Sequence, residues 1–132
     1  MTTTTVNKTA RTVVASATKA AATTTRGTLD LQTAMGGVLT MKITNGATAP
    51  TAQAVGRVLI SHNATMPSAA AAGADWKTVW TFGGGTTNSA VTEQSWEFGP
   101  GVMSLEVEFP THTGNDVTVE AYCSEITSVS NT

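Results

Sequence analysis

From Gly27 onward, hydrophobic and polar residues alternate in short runs that Gly, Pro and Asn residues separate. A period of two is the pattern of half-buried antiparallel strands, and seven or eight such runs can be counted. The positions predicted to face inward are Leu29 and Leu31; Leu39, Met41 and Ile43; Val58 and Ile60; Trp76, Thr78, Trp80 and Phe82; Leu105, Val107 and Phe109; and Val117, Val119, Ala121 and Cys123. Short strands with regular turn signals predict an all-β chain, an antiparallel β-sandwich or jelly-roll-like domain. The two longest connections, NGATAPTAQ and ATMPSAAAAGAD, are predicted to be surface loops.

The first 26 residues lack this alternation and consist mainly of Thr and Ala. The sequence therefore predicts two parts, an extended low-complexity arm over residues 1–26 and a β-sandwich domain over residues 27–132. Ordering an arm costs roughly 1 to 2 kcal/mol per residue in backbone entropy, so we expect it to be ordered only against a partner. An extended segment can supply backbone hydrogen bonds to another chain. The arm's basic residues, the candidate partner-binding residues, are Lys8, Arg11, Lys19 and Arg26.

Composition supports a β-structure with a small core. Thr occurs 27 times, and its β-branched side chain suits a pleated sheet, whereas Leu, Ile, Val and Phe together number 24. Residues 1–66 carry a net charge of +5 and residues 67–132 carry −7. This asymmetry indicates either contact with a partner or scattered charge on a Thr-coated surface. No Lys or Arg cluster follows the spacing of a phosphate backbone, so we expect no nucleic-acid partner.

Two further features bear on the compartment. Cys123 is the single cysteine, so an internal disulfide is excluded and a buried thiol is expected. The stretch VVASATKAAA is interrupted by Lys19 and diluted by Ala, Ser and Thr, unlike the apolar core of a signal peptide. No apolar run approaches the length of a membrane span, so we expect no membrane partner and folding in the cytoplasm in which the chain is made.

The tryptophans and histidines raise two possible binding sites. Trp76, Trp80 and Trp96 offer a platform on which sugar rings could stack, although packing in the core is the favoured interpretation. His62 and His112 could be imagined as metal ligands together with Asp116 and Cys123. Their spacing matches neither zinc nor calcium sites, and THTGND is interpreted as a hairpin turn in which Gly114 and Asn115 adopt positive φ. We therefore expect no metal and no other cofactor.

The carboxylates offer one catalytic possibility. Glu106 and Glu108 share a strand face and could act as paired acids, but a solvated or partner-facing sheet surface is the favoured interpretation. GGG at residues 83–85 is interpreted as a flexible turn, because neither a Lys-Ser/Thr pair nor a helix follows it. No nucleophile with a partnered base is evident, so we expect a protein that is not an enzyme.

The ending FGPGVMSLEVEFPTHTGNDVTVEAYCSEI, on a chain rich in Ala and Thr and poor in Cys, resembles small virion proteins of tailed bacteriophages. Capsid decoration (cement) proteins are the most similar type, and the resemblance extends from about residue 27 onward. It implies a β-sandwich or jelly roll on the outer capsid, often as trimers, with an extended arm over neighbouring capsid subunits. The resemblance rests on general character rather than on a motif, so it assigns no role to a single residue.

These observations together predict a non-enzymatic phage capsid decoration protein that binds the outer capsid and stabilises it through its arm and subunit contacts. The expected partners are the major capsid protein and further copies of the chain, with a homotrimer favoured. The expected location is the capsid surface of the virion, after synthesis in the host cytoplasm. The alternatives are another virion component, such as a tail, neck or head-fibre protein, and a carbohydrate-binding β-sandwich module.

Overall fold

The computed structural model describes residues 1–69 and 75–132, and these residues form eight strands joined by turns and loops. The strands are β1 (Thr4–Lys19), β2 (Thr25–Asp30), β3 (Gly37–Asn45), β4 (Val55–Ser61), β5 (Lys77–Gly83), β6 (Val91–Phe98), β7 (Ser104–Phe109) and β8 (Val117–Asn131). The predicted loop over residues 64–75 joins β4 to β5, and its residues 70–74 lie outside the described residues.

The strands form two four-stranded antiparallel sheets. The first sheet has the order β1-β8-β3-β6 and the second has the order β2-β7-β4-β5. The pairing is nested, because β1 pairs with β8, β2 with β7, β3 with β6 and β4 with β5. Nested antiparallel pairs that fold over into two facing sheets make a jelly roll. The prediction of an all-β antiparallel sandwich is confirmed.

The core lies between the two sheets and follows the predicted alternation. In the first sheet it is lined by Leu39, Met41 and Ile43 of β3 and by alternate residues of β8, and in the second by Leu105, Val107 and Phe109 of β7. The three β3 side chains and the three β7 side chains are fully buried. Ile60 lies opposite Leu105, as its predicted inward position requires, but it is only half-buried.

The alternation predicted for residues 76–82 is wrong, because β5 contains a bulge. Val58 lies opposite Trp80, whereas the next residue, Leu59, lies opposite Thr78, so Val79 is an extra residue. The extra residue of a bulge shifts the alternation of side chains, so the same spacing no longer keeps residues before and after it on one face of the sheet. Thr78 consequently points away from the face that Trp80 occupies, and Trp76 precedes the strand instead of sharing its face.

THTGND is not the hairpin turn that the sequence predicts, because β7 and β8 belong to different sheets. The segment crosses from one sheet to the other and is held by an isolated bridge between Ala52 and Thr113. Gly114 has a φ of 100°, as predicted, whereas Asn115 does not adopt positive φ. Alternation within the strands carries no information about which sheet the next strand joins, so it could not distinguish a crossover from a hairpin.

The structure places much of the predicted arm inside the sandwich. Residues 4–19 form the edge strand β1, which pairs with β8 from Lys19↔Val117 to Thr4↔Asn131, and β2 spans the predicted boundary at residue 26. Val14 of β1 is buried in the core. β1 pairs with β8 along one side of that strand, and the many Thr residues of β1 favour a strand conformation. The arm-like part of the chain is the outer end of β1, which extends beyond β3 and β6 and pairs there with the end of β8.

Candidate assembly surface

The first sheet narrows from four strands to two at one end. β3 begins at Gly37 opposite Glu125 of β8, and β6 ends there too. The last bonds of this part of the sheet join the Met35 N–H to the Ile126 carbonyl and the Ile126 N–H to the Gly36 carbonyl, with N–O distances of 2.7 and 2.8 Å. Beyond Ile126, the pairing of β8 within the described residues is with β1. We call residues 3–7 and 128–132, which form this two-stranded extension, the terminal ribbon.

The terminal ribbon has one face with an apolar pair and one polar face. Val6 lies directly opposite Val129, and the two side chains are 46% and 47% exposed. On the same face, the Thr4 hydroxyl donates to the Asn131 side-chain oxygen over 2.8 Å. The other face carries Thr5 opposite Ser130 and Asn7 opposite Ser128. An isolated two-stranded ribbon is at best marginally stable in water, and this one exposes a cross-strand valine pair on one face.

A notch with a volume of about 500 Å³ lies where the ribbon leaves the sheet. Its apolar lining includes Met35, Val38, Phe98 and Ile126, and Lys8 and Glu97 contribute the charged side chains. Met35 and Val38 are 47% and 39% exposed. The ribbon and the notch therefore form one continuous surface at this end of the sandwich, with apolar and charged groups side by side.

The four basic residues predicted to bind a partner lie in different environments, and one of them, Lys8, lines the notch. Lys8 is exposed at the foot of the ribbon. Arg11 makes an ion pair with the buried Glu125 over 2.9 Å, and its side chain is 48% exposed. Lys19 and Arg26 also make contacts within the domain. The predicted set is thus divided, because Arg11, Lys19 and Arg26 make contacts within the domain, whereas Lys8 is exposed.

Lys19 is buried at the end of β1, where its ammonium group meets the connection between β7 and β8. Its Nζ donates to the Ala20 carbonyl over 3.3 Å and lies 3.2 Å from His112 Nδ1. His112 Nε2 lies 2.8 Å from the Asn115 carbonyl, which can only accept, so Nε2 carries the proton and Nδ1 accepts from Lys19. Burial lowers the pKa of Lys19 from its ordinary value of 10.5, and the charge of Asp116 partly opposes this.

The buried ammonium predicts a specific pH dependence of stability. Because the pKa of Lys19 is lowered in the folded state, this group binds more protons in the unfolded chain between that value and 10.5, so its own contribution to stability rises with pH in this window. We expect Lys19→Met to remove this rise. Urea unfolding of both proteins from neutral pH to pH 10 tests it, with Lys42→Met as the control because Lys42 forms an exposed-face ion pair with Glu120. Parallel pH profiles for Lys19→Met and the unsubstituted protein would contradict the expectation.

Arg26 lies against the two carboxylates that the sequence raised as possible paired acids. Its guanidinium makes an ion pair with Glu108 and approaches Glu106 at 3.6 Å, and Arg57 pairs with Glu108 over 3.3 Å. The expectation of a solvated or partner-facing Glu106 is wrong, because its side chain is 1% exposed. β7 is an interior strand, and Glu106 lies between Thr28 of β2 and Leu59 of β4. These carboxylates are neutralised within the sheet instead of facing a cleft.

The tryptophans do not form a shared platform. Trp76 is buried, and its Nε1 donates to the Ser68 carbonyl over 3.0 Å. Trp80 of the second sheet stacks on Phe82 with a centroid distance of 5.4 Å, and Trp96 of the first sheet stacks on Phe98 at 5.7 Å. Both half-buried rings pack against the core. The preference for core packing over a sugar-stacking platform is therefore confirmed for Trp76 and fits the other two rings.

The imagined metal ligands lie in separate places. His62 is exposed after β4, and His112 is hydrogen-bonded to Lys19. Cys123 is buried in the core, where burial raises the pKa of its thiol to about 11. Over residues 1–69 and 75–132, no three His, Cys, Asp or Glu side chains are grouped as a metal site requires. The same ranges contain no helix that is long and apolar enough to cross a bilayer.

Comparisons with known proteins identify no family. No protein-family model matches the chain, and no curated protein does. Among solved structures, a chain of the VP2 subviral particle of infectious bursal disease virus is 11% identical in sequence to this chain, with a TM-score of 0.22. A chain from the structure of the Gx strain of infectious bursal disease virus is 10% identical, with a TM-score of 0.16. The matches cover 96% of this chain but 41% and 42% of those chains. The similarity to viral capsid proteins is thus weak, and at these scores it carries no weight for function.

Proposed function

We propose that this chain is a non-enzymatic capsid decoration (cement) protein of a tailed bacteriophage, which binds the outer capsid and stabilises it. Its partners are the major capsid protein and further copies of the chain, and its location is the capsid surface of the virion after synthesis in the host cytoplasm. The observation that carries the proposal is the terminal ribbon, a two-stranded extension of the sandwich that exposes Val6 and Val129.

The jelly roll supports the proposal only in part. Viral capsid domains, lectins and cupins share this architecture, so the fold is compatible with a virion protein and does not select one. The ribbon adds support, because a projecting strand pair with exposed valines is suited to contact with other chains. The resemblance of residues 27–132 to decoration proteins points to the same class.

Charge and repetition add to this argument. The exposed basic residue Lys8 lies beside the ribbon, where it suits an acidic partner surface. A contact of this size is weak by itself. On a capsid lattice, several linked copies bind together, and linkage multiplies weak contacts into stable attachment.

The structure defines the truncation that tests the proposal. Removing residues 1–25 would take Val14 and Lys19 out of the sandwich, so a loss of attachment would also follow from unfolding. Removing residues 1–7 takes away only the β1 half of the ribbon. We expect this truncation to lower occupancy on purified phage particles about tenfold or more, which corresponds to about 1.4 kcal/mol per copy. Quantitative mass spectrometry of the particles measures the ratio to the major capsid protein.

Two controls make the result interpretable. Urea unfolding establishes that the truncated sandwich remains folded, and Val79→Ala, an exposed change on β5 away from the ribbon, should leave occupancy unchanged. Undiminished occupancy of the truncated protein would overturn the ribbon's role, and absence of the full chain from purified particles would overturn the proposal. Immunoelectron microscopy separates an even coat on the shell from a tail, neck or head-fibre position.

A further inference from the structure

Among residues 1–69 and 75–132, no backbone partner pairs with the outer edges of the terminal ribbon. Thr3 and Thr132 exchange two backbone hydrogen bonds, with distances of 2.7 and 2.9 Å. Because backbone groups alternate sides along a strand, the next residues, Thr4 and Asn131, direct their N–H and C=O groups away from each other. The same alternation applies to Val6 and Val129, which lie two residues further along. The ribbon therefore has one free edge on β1 and one on β8.

These two edges are complementary between copies. Around a shared axis parallel to the strands, the β1 edge of one ribbon runs antiparallel to the β8 edge of the next. We propose that three copies pair in this way, β1 to β8, and close their terminal ribbons into a six-stranded antiparallel barrel. This inference rests on the proposed function in that it names the partner of the ribbon as a second copy of the chain. Closure removes both free edges at once.

The side-chain pattern of the ribbon fits the interior of such a barrel. Val6, Val129, Thr4 and Asn131 share one face, and with that face inward three copies would contribute a layer of valines. Val6 and Val129 form a pair without mutual backbone hydrogen bonds, the geometry in which opposite side chains lie closest. Barrel width grows with strand number, and side chains just fill the interior of a barrel of roughly eight strands. A six-stranded barrel has a narrower interior, which suits a layer of valines. Two copies supply too few strands to close.

The notch at the foot of the ribbon supports the same arrangement. Its lining includes Gly37 and Val38 at the start of β3 and Ile126 of β8, so it lies at the end of the sheet from which the ribbon extends. The exposed part of β1, residues 4–12, contains Lys8 and Arg11 and no acidic residue, whereas Glu97 lies on the notch wall. Pairing between copies would therefore bring the exposed Lys8 of one copy toward the end of the sheet that carries Glu97 in the next.

The first experiment measures native mass in solution, without any capsid. Size-exclusion chromatography with light scattering should give about three times the 13.5 kDa chain mass for the full chain. Val6→Lys would place an unpaired ammonium inside the barrel, which should weaken association by more than roughly 100-fold and yield the single-chain mass. The matched control is Thr5→Lys, which adds the same group one residue away on the polar, outward face and should leave the mass unchanged.

A second variant tests the edge rather than the face. Thr4→Pro removes an outward N–H while preserving the bonds between Thr3 and Thr132, and it should also prevent association. Circular dichroism and urea unfolding should show a folded sandwich in every variant, since the ribbon lies outside the core. A single-chain mass for the full chain, or equal masses for Val6→Lys and Thr5→Lys, would overturn the inference.

The outcome separates this inference from the proposed function. A chain that is monomeric in solution but needs its ribbon to occupy particles would use the ribbon against the capsid, so the inference would fail and the proposed function would stand. A ribbon-dependent trimer that is absent from purified particles would give the reverse result.

Discussion

Phe109→Ala is expected to lower the free energy of unfolding by about 3 to 5 kcal/mol, the usual cost of removing a buried aromatic ring. Phe109 is fully buried at the end of β7, where its ring lies beside Gly56. Few large side chains are available to fill the resulting cavity, because the chain contains only three Phe residues and 24 Leu, Ile, Val and Phe residues in all. Domains of this kind are typically stable by about 5 to 15 kcal/mol, so the loss is a large fraction of the total.

Urea unfolding followed by tryptophan fluorescence measures this change, since the three Trp residues lie in or against the core. Val79→Ala is the control on the same sheet. Val79 is 43% exposed, and its substitution should change stability by no more than about 0.5 kcal/mol. Equal midpoints for the two variants would mean that the interior around Phe109 is not packed as described.

Gly27→Ala is expected to destabilise the protein by about 3 kcal/mol, the upper end of the usual range for adding a methyl group where no space exists. A Cβ at Gly27 would lie 2.1 Å from the carbonyl oxygen of Val13 in β1. Backbone atoms cannot yield as a flexible side chain can, so β1 and β2 must separate. The reduced freedom of the unfolded chain that Gly→Ala brings offsets only about 0.4 to 1 kcal/mol of this.

Gly99→Ala provides the matched control, because a Cβ there meets no atom within 4 Å. We expect its urea midpoint to equal or slightly exceed that of the unsubstituted protein. Hydrogen exchange should locate the damage in Gly27→Ala at the β1 amides, which would exchange faster than those of β3. A Gly27→Ala protein as stable as Gly99→Ala would contradict the close approach of β1 to β2 and, with it, the incorporation of the first residues into the sandwich.

Strand positions could be predicted because each strand's pattern is local. Residues such as Leu39, Met41 and Ile43 must lie on one side of any strand that contains them, and that side must be buried. The alternation failed at Val79, where one extra residue reverses the faces, and nothing in DWKTVWTF marks the bulge. Alternation also failed to predict β1, because a run of Thr and Ala shows little contrast between apolar and polar positions.

The candidate assembly surface was only partly visible in the sequence. The interpretation of residues 1–26 as a partner-binding arm singled out Lys8, which lies beside the ribbon, but also Arg11, Lys19 and Arg26, which make contacts within the domain. The C-terminal half of the ribbon was missed. SVSN at residues 128–131 has one apolar residue among polar ones, so its role depends on lying opposite Val6.

By itself, the sequence determined the class of fold, because period-two alternation, β-branched residues and turn signals act over a few neighbours at a time. Tertiary structure decided everything that depends on residues far apart in the chain. The pairing of Val6 with Val129, the burial of Lys19 beside His112 and the neutralisation of Glu106 by Arg26 each join segments separated by more than 75 positions. Local patterns carry no information about such pairings, which follow from how the nested strands close into two sheets.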